Sequence, residues 1–309
     1  MPDEQPQSPS RPSPIAIWLM ASRPKTLPAA WAPVVVATAL AWSHGAAHWP
    51  SAIACLLGAT LIQIGTNFAN DYFDFVKGTD TAERVGPTRV TQAGLVTPGG
   101  MRLAMIAVFA LVWIPGAYIL VRGGWPYLAI GVVSIACGVL YTGGPRPLGY
   151  IGLGDVFVLV FFGPVAVMGT YYLQAYALPR EALVASLGPG LLAVALLTVN
   201  NLRDVEGDRK AGKRTLAVRF GRTYAQFQYG VCMIVACLFV PMYFYATTPH
   251  HFFGALALAT LALGIPAIRA VLLFPDEPAR LNQVLGRTGF ILVLYAAMFA
   301  LSVAWNPEL

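Results

Sequence analysis

Two short segments of the chain place asparagine and aspartate side chains at helical spacing. The first is NFANDYFD at residues 67–74, whose polar residues are Asn67, Asn70, Asp71 and Asp74. Their spacing of 0, 3, 4 and 7 puts them on one face of an α-helix. The preceding turns are apolar, so we expect this face to look into a cavity or a bundle interior. Carboxylates in such a place are costly and usually functional.

The second segment, VNNLRDVEGDRKAGKRT at residues 199–215, has a similar pattern. Asn200, Asp204 and Asp208 are four residues apart, and Asn201 lies beside them. Both segments follow apolar runs that are predicted to end on the same side of a membrane, which indicates a weak internal repeat. The two polar faces are therefore predicted to meet across a central cavity.

The residue types of the two segments predict their chemistry. Clustered carboxylates repel one another unless cations lie between them, and ligands that are all oxygen favour Mg²⁺ or a similar hard ion. Basic residues flank the acids: Lys77, Arg84, Arg209, Lys210, Lys213 and Arg214. Acids for a metal beside bases for phosphate indicate a diphosphate site. Capping of a helix end explains either segment alone, but it explains their recurrence poorly.

The elements that position these residues are predicted to be transmembrane helices. Of the 309 residues, 57% are hydrophobic and only 11% are charged, whereas soluble domains carry about 25% charged residues. The apolar runs approach the ~20 residues that span a bilayer and are too long for barrel strands. The sequence thus predicts an all-α membrane bundle with nine spans, near residues 28–44, 51–70, 103–121, 125–142, 153–174, 184–202, 224–246, 252–273 and 286–304.

The basic residues predict the orientation of the bundle. All of the 20 Lys and Arg residues except Arg122 and Arg180 fall on one side of the nine-span arrangement. By the positive-inside rule that side faces the cytoplasm, so the N-terminus is inside and the C-terminus outside. The net charge of +6 belongs to this rim, and nucleic acid is not needed to explain it.

The remaining features predict structure rather than chemistry. Residues 1–14, rich in Pro, Ser and Gln, predict a disordered tail, and residues 15–309 predict a single membrane domain. The four Cys lie inside predicted spans without a CxxC pair, which predicts neither a disulfide framework nor a zinc site. The four His are expected at or near the outer face: His44, His48, His250 and His251.

With these motifs the chain resembles the UbiA superfamily of membrane prenyltransferases. NDYFD at 70–74 resembles the first Asp-rich motif of that family, NDxxD, and NNLRDVEGDRKAGKRTLAVRFG at 200–221 resembles the second. Within this superfamily the chain most resembles the branch that prenylates 1,4-dihydroxy-2-naphthoate for menaquinone. The stretches that carry this likeness are SRPKTLP at 22–28, GTDTAERVGPTR at 78–89, YTGGPRPLGYIGLGD at 141–155 and NNLRD at 200–204. The chain departs from the general first motif at Gly78, where the family has a third Asp, and Asp80 is the nearest later acid.

The resemblance implies a fold and an activity. Nine transmembrane helices would surround a central cavity under a cytoplasmic cap formed by the motif loops. The donor would be a polyprenyl diphosphate, the cofactor Mg²⁺, and the acceptor 1,4-dihydroxy-2-naphthoate, whose carboxyl group leaves as CO₂ in this branch. A bacterial protein of this kind would lie in the cytoplasmic (inner) membrane, surrounded by lipid, and its oligomeric state stays open.

The candidate site residues form several groups. The predicted catalytic acids are Asp71, Asp74, Asp204 and Asp208. The predicted metal ligands are Asn67, Asn70, Asp71 and Asp74 for one ion and Asn201, Asp204 and Asp208 for another. The candidates for phosphate oxygens or the acceptor carboxylate are Lys77, Arg84, Arg146, Arg209 and Lys213, with Asp155 as a partner that could orient Arg146. The aromatic faces that could stabilise an allylic cation are Tyr72, Tyr141, Tyr150 and Phe161.

Two alternatives stay open at this point. Buried carboxylates and an internal repeat are also typical of a cation-coupled transporter, although its acids are expected nearer the middle of the membrane. Within the enzyme class, the acceptor could instead be 4-hydroxybenzoate, a chlorin or a haem.

Overall fold

The computed structural model describes residues 12–79, 89–247 and 255–304, and within these ranges the regular structure is helical. Arg84, His250 and His251 lie outside the described residues, as do Asp80 and residues 1–11 of the predicted tail. The first helices are α1 (Pro14–Ser22), α2 (Pro28–Ser43), α3 (Trp49–Val76), α4 (Pro98–Leu111), α5 (Trp113–Gly123), α6 (Trp125–Leu140), α7 (Gly154–Val160) and α8 (Ala166–Ala175).

The second half of the chain continues the same architecture. Its helices are α9 (Arg180–Arg203), α10 (Val205–Lys210), α11 (Leu216–Ile234), α12 (Val240–Thr247), α13 (Ala255–Leu258), α14 (Leu261–Leu273) and α15 (Pro278–Ala304). Short π-helical turns join α7 to α8 and α11 to α12. A 3₁₀ turn at Pro24–Thr26 lies between α1 and α2.

Sequence signals begin several of these helices. Proline stands at the first position of α1, α2 and α4, where its missing N–H group costs no hydrogen bond. Side chains before the first turn accept backbone N–H groups in four helices, and these caps are Ser13, His48, Thr97 and Thr215. Ser13 and Pro14, which the sequence assigned to the tail, therefore belong to the start of α1.

Each of the nine predicted apolar runs coincides with a helix or a pair of helices, but not all are long enough to count as spans by themselves. Among the described residues, seven helical segments have the length and hydropathy to cross a membrane. An eighth is obtained if α1 and α2, bent by 52° at the 3₁₀ turn, form one broken span, and α6 is a shorter apolar helix. The all-α membrane architecture is thus confirmed, whereas the number nine is not.

The bundle packs around α9, which contacts α2, α7, α8, α11 and α15. A large apolar core joins α2, α8, α9, α11 and α15, and a smaller one joins α1, α3 and α4. At one crossing the backbones touch, because a Cβ atom added to Gly190 on α9 would lie 2.9 Å from the Cα atom of Gly163. Only glycine fits so close an approach between helices.

All four cysteines are free thiols, three of them on α3, α6 and α11 and one in the π-helical turn between α11 and α12. They are Cys55, Cys137, Cys232 and Cys237.

Candidate active site

A cavity of about 1720 Å³ runs through the bundle, with polar residues concentrated at one end. Both Asn/Asp segments line this polar end, with Asn67, Asn70, Asp74, Asn200, Asn201, Asp204 and Asp208. The walls beyond it are mainly apolar and include Ile62, Ile135, Phe157, Phe161 and Leu197. A polar mouth that opens into an apolar chamber suits a ligand with a charged head and a hydrocarbon tail.

Asp74 is the centre of the polar end. Its carboxylate is almost completely buried and accepts hydrogen bonds at Oδ1 from the hydroxyls of Tyr150 at 3.1 Å and Thr79 at 3.2 Å. Two cations also contact it: Arg89 through Nη2 at 2.7 Å and Lys213 through Nζ at 3.4 Å. A buried carboxylate is tolerated when it is paired and hydrogen-bonded in this way.

The ring of Tyr150 organises the neighbouring lysines. The Nζ atoms of Lys77 and Lys213 stand 5.0 Å and 4.8 Å from its centre, within cation–π range. Lys77 also donates to the carbonyl oxygens of Thr142 and Gly144, which fixes the loop between α6 and α7. Desolvation lowers the pKa of Lys77, and the nearby Asp74 opposes that shift. Lys77 is thus an anchor of this loop and does not line the cavity.

Two loops meet beside Asp74. The N–H group of Arg214 donates to the carbonyl oxygen of Tyr150 at 2.8 Å, and Arg219 donates to that of Ile151 at 2.8 Å. The loop after α6 is thereby joined to the loop between α10 and α11. This contact is what brings Lys213 to the first Asn/Asp segment.

Asn70 and Asn67 both line the cavity but have different partners. Asn70 Oδ1 accepts a hydrogen bond from the hydroxyl of Thr142 at 2.9 Å. The amide of Asn67 donates to the carbonyl oxygen of Ser22 at 2.9 Å and to the hydroxyl of Thr26 at 3.1 Å. Asn67 therefore ties α3 to the bend between α1 and α2.

Asp71 contacts the backbone of the 89–91 turn in this structure, and its predicted role as a metal ligand and catalytic acid stays a prediction. Its two carboxylate oxygens accept the backbone N–H groups of Val90 and Thr91, each at 3.1 Å, and the side chain is buried. Asp71 does not line the chamber that holds Asp74 and Asp204. In this structure it holds the turn that carries Arg89.

The second segment is organised by Arg203. Its guanidinium donates to both oxygens of Asp204, from Nε at 2.7 Å and from Nη2 at 2.6 Å. It also donates to the side-chain oxygens of Asn200 and Asn282, each at 2.8 Å. The side chain of Arg203 is fully buried while that of Asp204 is 17% exposed. Arg203 thus orients two oxygen donors of α9 and links them to α15.

The predicted cations are divided by the structure. Lys213 and Lys210 line the cavity. Arg209 does not; it is exposed and pairs with the equally exposed Glu206 at 3.1 Å. Arg146 is exposed outside the chamber. Asp155 accepts a hydrogen bond from Gln228 Nε2 at 2.7 Å, which gives the predicted pairing with Arg146 no support.

The predicted aromatic residues are divided in the same way. Tyr141, Tyr150 and Phe161 line the cavity, and the rings of Phe161 and Phe157 stack at 6.1 Å. Tyr72 does not line it; its ring packs against Phe73. Burial raises the pKa of Tyr141, and Asp155, Asp208 and Asp74 add to that shift. The Tyr141 phenol therefore stays protonated at neutral pH.

Sequence reasoning missed several polar residues of the site. These are Thr79, Arg89, Thr142, Arg203 and Asn282. Arg89 and Arg203 were counted only as topogenic charges of the cytoplasmic rim. The position of Arg203 directly before Asp204 was a local signal, whereas the approach of Asn282 depends on how α15 packs.

The family model described as "UbiA prenyltransferase family" matches residues 30–294. The chain belongs to the UbiA prenyltransferase family. It is therefore a prenyltransferase, and the transporter alternative is not retained.

Two curated relatives are similar to most of this chain, and one solved structure shares its fold. The 1,4-dihydroxy-2-naphthoate octaprenyltransferase of Escherichia coli (strain K12) is 39% identical over 292 residues, covering 93% of this chain and 94% of the relative. The protein of that name from Mycobacterium tuberculosis is 42% identical over 222 residues, covering 72% and 75%. A UbiA homolog from Archaeoglobus fulgidus, solved bound to DMAPP and Mg²⁺, aligns over 94% of this chain and 99% of its own with a TM-score of 0.62 and 18% identity.

Proposed function

We propose that this UbiA-family enzyme transfers a polyprenyl group from polyprenyl diphosphate to 1,4-dihydroxy-2-naphthoate in the formation of menaquinone. The acceptor is taken from the two relatives, both named 1,4-dihydroxy-2-naphthoate octaprenyltransferase. The class of donor agrees with the DMAPP that the structural neighbour from Archaeoglobus fulgidus binds together with Mg²⁺. The observation that carries the proposal is the Asp74 centre, where acids and cations meet at the mouth of an apolar chamber.

The residues at the polar end fit a hard divalent ion. Asn70, Asp74, Asn201, Asp204 and Asp208 offer amide and carboxylate oxygens to one cavity. Among the residues that the structure describes, no three His, Cys, Asp or Glu side chains form a compact cluster. Mg²⁺ usually takes one or two carboxylates and completes its shell with water and substrate phosphate. When bound, Mg²⁺ supplies positive charge beside the departing diphosphate.

The chain's own cations complete the diphosphate site. Arg89 and Lys213 contact Asp74 and line the cavity, so a phosphate group beside Asp74 lies within their reach. Preorganised donors of this kind stabilise negative charge as it develops on the leaving group. Tyr150 contacts both Asp74 and Lys213 and so holds this arrangement, and Lys77 contacts the Tyr150 ring.

The reaction forms one carbon–carbon bond. The allylic C–O bond of the donor breaks, and diphosphate leaves with the electron pair. The ring carbon that carries the carboxylate attacks the allylic carbon, and CO₂ then departs while its bonding electrons return to the ring. The faces of Tyr141, Phe157 and Phe161 line the cavity where positive charge passes. The apolar walls keep water from that carbon.

For the membrane topology we propose nine spans, with α2 and α6 crossing the bilayer in addition to the seven long segments. The acids would then lie at the cytoplasmic face of a bacterial inner membrane, with the N-terminus inside and the C-terminus outside. The two joined loops beside Asp74 would form the cytoplasmic cap. Support comes from the distribution of Lys and Arg under the positive-inside rule and from the contact between these loops.

The test is an acceptor panel. Membranes containing the protein would be incubated with Mg²⁺, a labelled polyprenyl diphosphate, and either 1,4-dihydroxy-2-naphthoate or 4-hydroxybenzoate. We expect labelled demethylmenaquinol and CO₂ from the naphthoate and little product from the benzoate. Membranes without the protein are the control. Transfer to 4-hydroxybenzoate in preference would overturn the proposed acceptor, and transfer to neither would overturn the proposed function.

A further inference from the structure

The end of the cavity opposite the acids is lined by residues from four helices. The lining residues furthest from the polar end on their helices are Cys55 on α3, Leu120 on α5, Tyr127 on α6 and Thr170 on α8, with Gly169 beside Thr170. Tyr127 crosses this floor, because its hydroxyl donates to the carbonyl oxygen of Gly169 at 2.7 Å. The ring is therefore held across the gap between α6 and α8.

A second layer of hydrogen bonds fixes this floor from behind. The carbonyl oxygen of Leu173 accepts from Arg122 Nε at 2.8 Å and from the Ser51 hydroxyl at 3.2 Å. The hydroxyl of Tyr176 donates to the carbonyl oxygen of Arg122 at 3.1 Å, and its ring lies 4.9 Å from that guanidinium. Since these bonds join α3, α5 and α8, the floor is a built feature of the bundle.

The depth of the chamber follows from helix geometry. Fifteen residues separate Tyr127 on α6 from Thr142 in the turn that follows it, and fifteen separate Asn70 from Cys55 along α3. At a rise of 1.5 Å per residue each path is about 22 Å long. An extended isoprene unit advances by about 5 Å over four carbon–carbon bonds of about 1.5 Å. The straight path therefore holds about four units.

We propose that Tyr127 determines the length of prenyl chain that the chamber holds in extended form. The inference rests on the proposed function and adds the residue that the donor tail meets. A tail of about four isoprene units ends against the Tyr127 ring. A longer tail turns aside before it, where Leu128 and Val132 line the cavity and are 39% and 48% exposed.

The experiment compares donors of two and four isoprene units in variants of the floor. Tyr127→Trp enlarges the floor residue. Gly169→Leu adds a side chain beside it, at a position where a Cβ atom would lie 3.9 Å from the Tyr127 ring. Each variant is expected to lower kcat/KM for the four-unit donor relative to the two-unit donor by about tenfold or more, the scale of a steric misfit in an apolar pocket. This ratio does not depend on how much of a variant folds.

Two controls complete the series. Tyr127→Phe keeps the ring at the floor, and Val133→Leu changes an exposed residue of the same helix that does not line the cavity. Both are expected to keep the wild-type ratio. A wild-type ratio in both Tyr127→Trp and Gly169→Leu would overturn the role of Tyr127.

The same comparison is made for binding, with the two thiolodiphosphate analogues and a thermal-shift readout. The expected result is again a selective loss of the four-unit analogue in Tyr127→Trp and Gly169→Leu. If the wild-type protein binds donors but transfers them to no acceptor, the proposed function fails while these binding ratios still decide the role of Tyr127.

Discussion

Lys213 Nζ lies 3.4 Å from Asp74 Oδ1, although 139 residues separate the two in the chain. The pair joins the two Asn/Asp segments at the mouth of one cavity. Both residues also contact Tyr150, Asp74 through its hydroxyl and Lys213 through its ring. The acidic centre therefore depends on a loop contact that neither segment contains by itself.

Asp74 and Asp71 offer a matched pair of substitutions on one helix. Asp74→Asn removes the charge that faces the cavity, so kcat/KM for prenyl transfer is expected to fall by about 100-fold or more. Asp71→Asn weakens two hydrogen bonds to the backbone of the 89–91 turn, which is expected to lower the free energy of unfolding by about 1–3 kcal/mol. Transfer assays and thermal unfolding in detergent separate the two effects. If Asp71→Asn lost as much prenyl transfer as Asp74→Asn while keeping wild-type thermal stability, Asp71 would have a catalytic role.

Arg203 is expected to act on the metal site through Asp204 and Asn200. Arg203→Lys keeps the charge but loses the forked contact with both oxygens of Asp204. The Mg²⁺ concentration for half-maximal activity should rise by about tenfold or more, as for partners that orient metal ligands. The measurements are Mg²⁺ titration of activity and the thermal shift that Mg²⁺ produces.

The control for Arg203 is Arg280→Lys, which changes an exposed arginine paired with the exposed Glu277 at 2.8 Å. Such a pair contributes little to stability, so its Mg²⁺ dependence should equal that of the wild type. If Arg203→Lys lowers the thermal midpoint but leaves the Mg²⁺ dependence unchanged, its role is structural only.

His44 gives a pH dependence at the opposite end of the bundle. Its ring Nδ1 lies 2.6 Å from the Tyr171 hydroxyl. Burial lowers the pKa of His44 below 6.5, and Glu181 opposes that shift. Between the lowered value and 6.5 the unfolded chain binds more protons than the folded one, so stability falls as the pH falls through this window. As the pH falls through that range, the thermal midpoint should decrease less in His44→Gln than in the wild type. Equal decreases in the two proteins would contradict the assignment.

Two buried tyrosines differ in whether the hydroxyl is satisfied. Tyr295 is fully buried, and its hydroxyl has no hydrogen-bond partner among the described residues. The hydroxyl of Tyr229 pairs with that of Thr288 at 2.8 Å. Tyr295→Phe should leave stability unchanged or raise it by about 1 kcal/mol, whereas Tyr229→Phe should lower it by about 1 kcal/mol. Thermal unfolding of both variants checks this, and destabilisation of Tyr295→Phe by as much as Tyr229→Phe would contradict it.

The helical elements could be predicted from the sequence because apolar length is a local property. Each predicted run corresponds to helix, yet α2 and α6 have only 16 residues. Whether these two helices count as spans depends on a bend at Pro24–Thr26 and on a turn at Gly124, neither of which hydropathy registers. The positions of the helices were therefore predicted better than their ends.

The candidate site could be predicted only in outline. Spacing alone placed Asn70, Asp71 and Asp74 on one helical face, but such a face is about 100° wide, and only part of it meets the cavity. Which flank looks inward is decided by the packing of α3 and by the turn at Val90 and Thr91. The contacts of the cations were harder to predict, because a long side chain at a helix end can reach in several directions. Arg89 reaches the cavity mouth from its loop, whereas Arg146 lies outside that mouth.

The cations beside the two central acids have a consequence for biogenesis. Arg89 and Lys213 offset the charge of Asp74, and Arg203 offsets that of Asp204. The polypeptide itself thus supplies positive charge beside both of these acids. We therefore expect insertion and assembly of the bundle to need no divalent ion, and a chelator to halt turnover while the helices stay assembled.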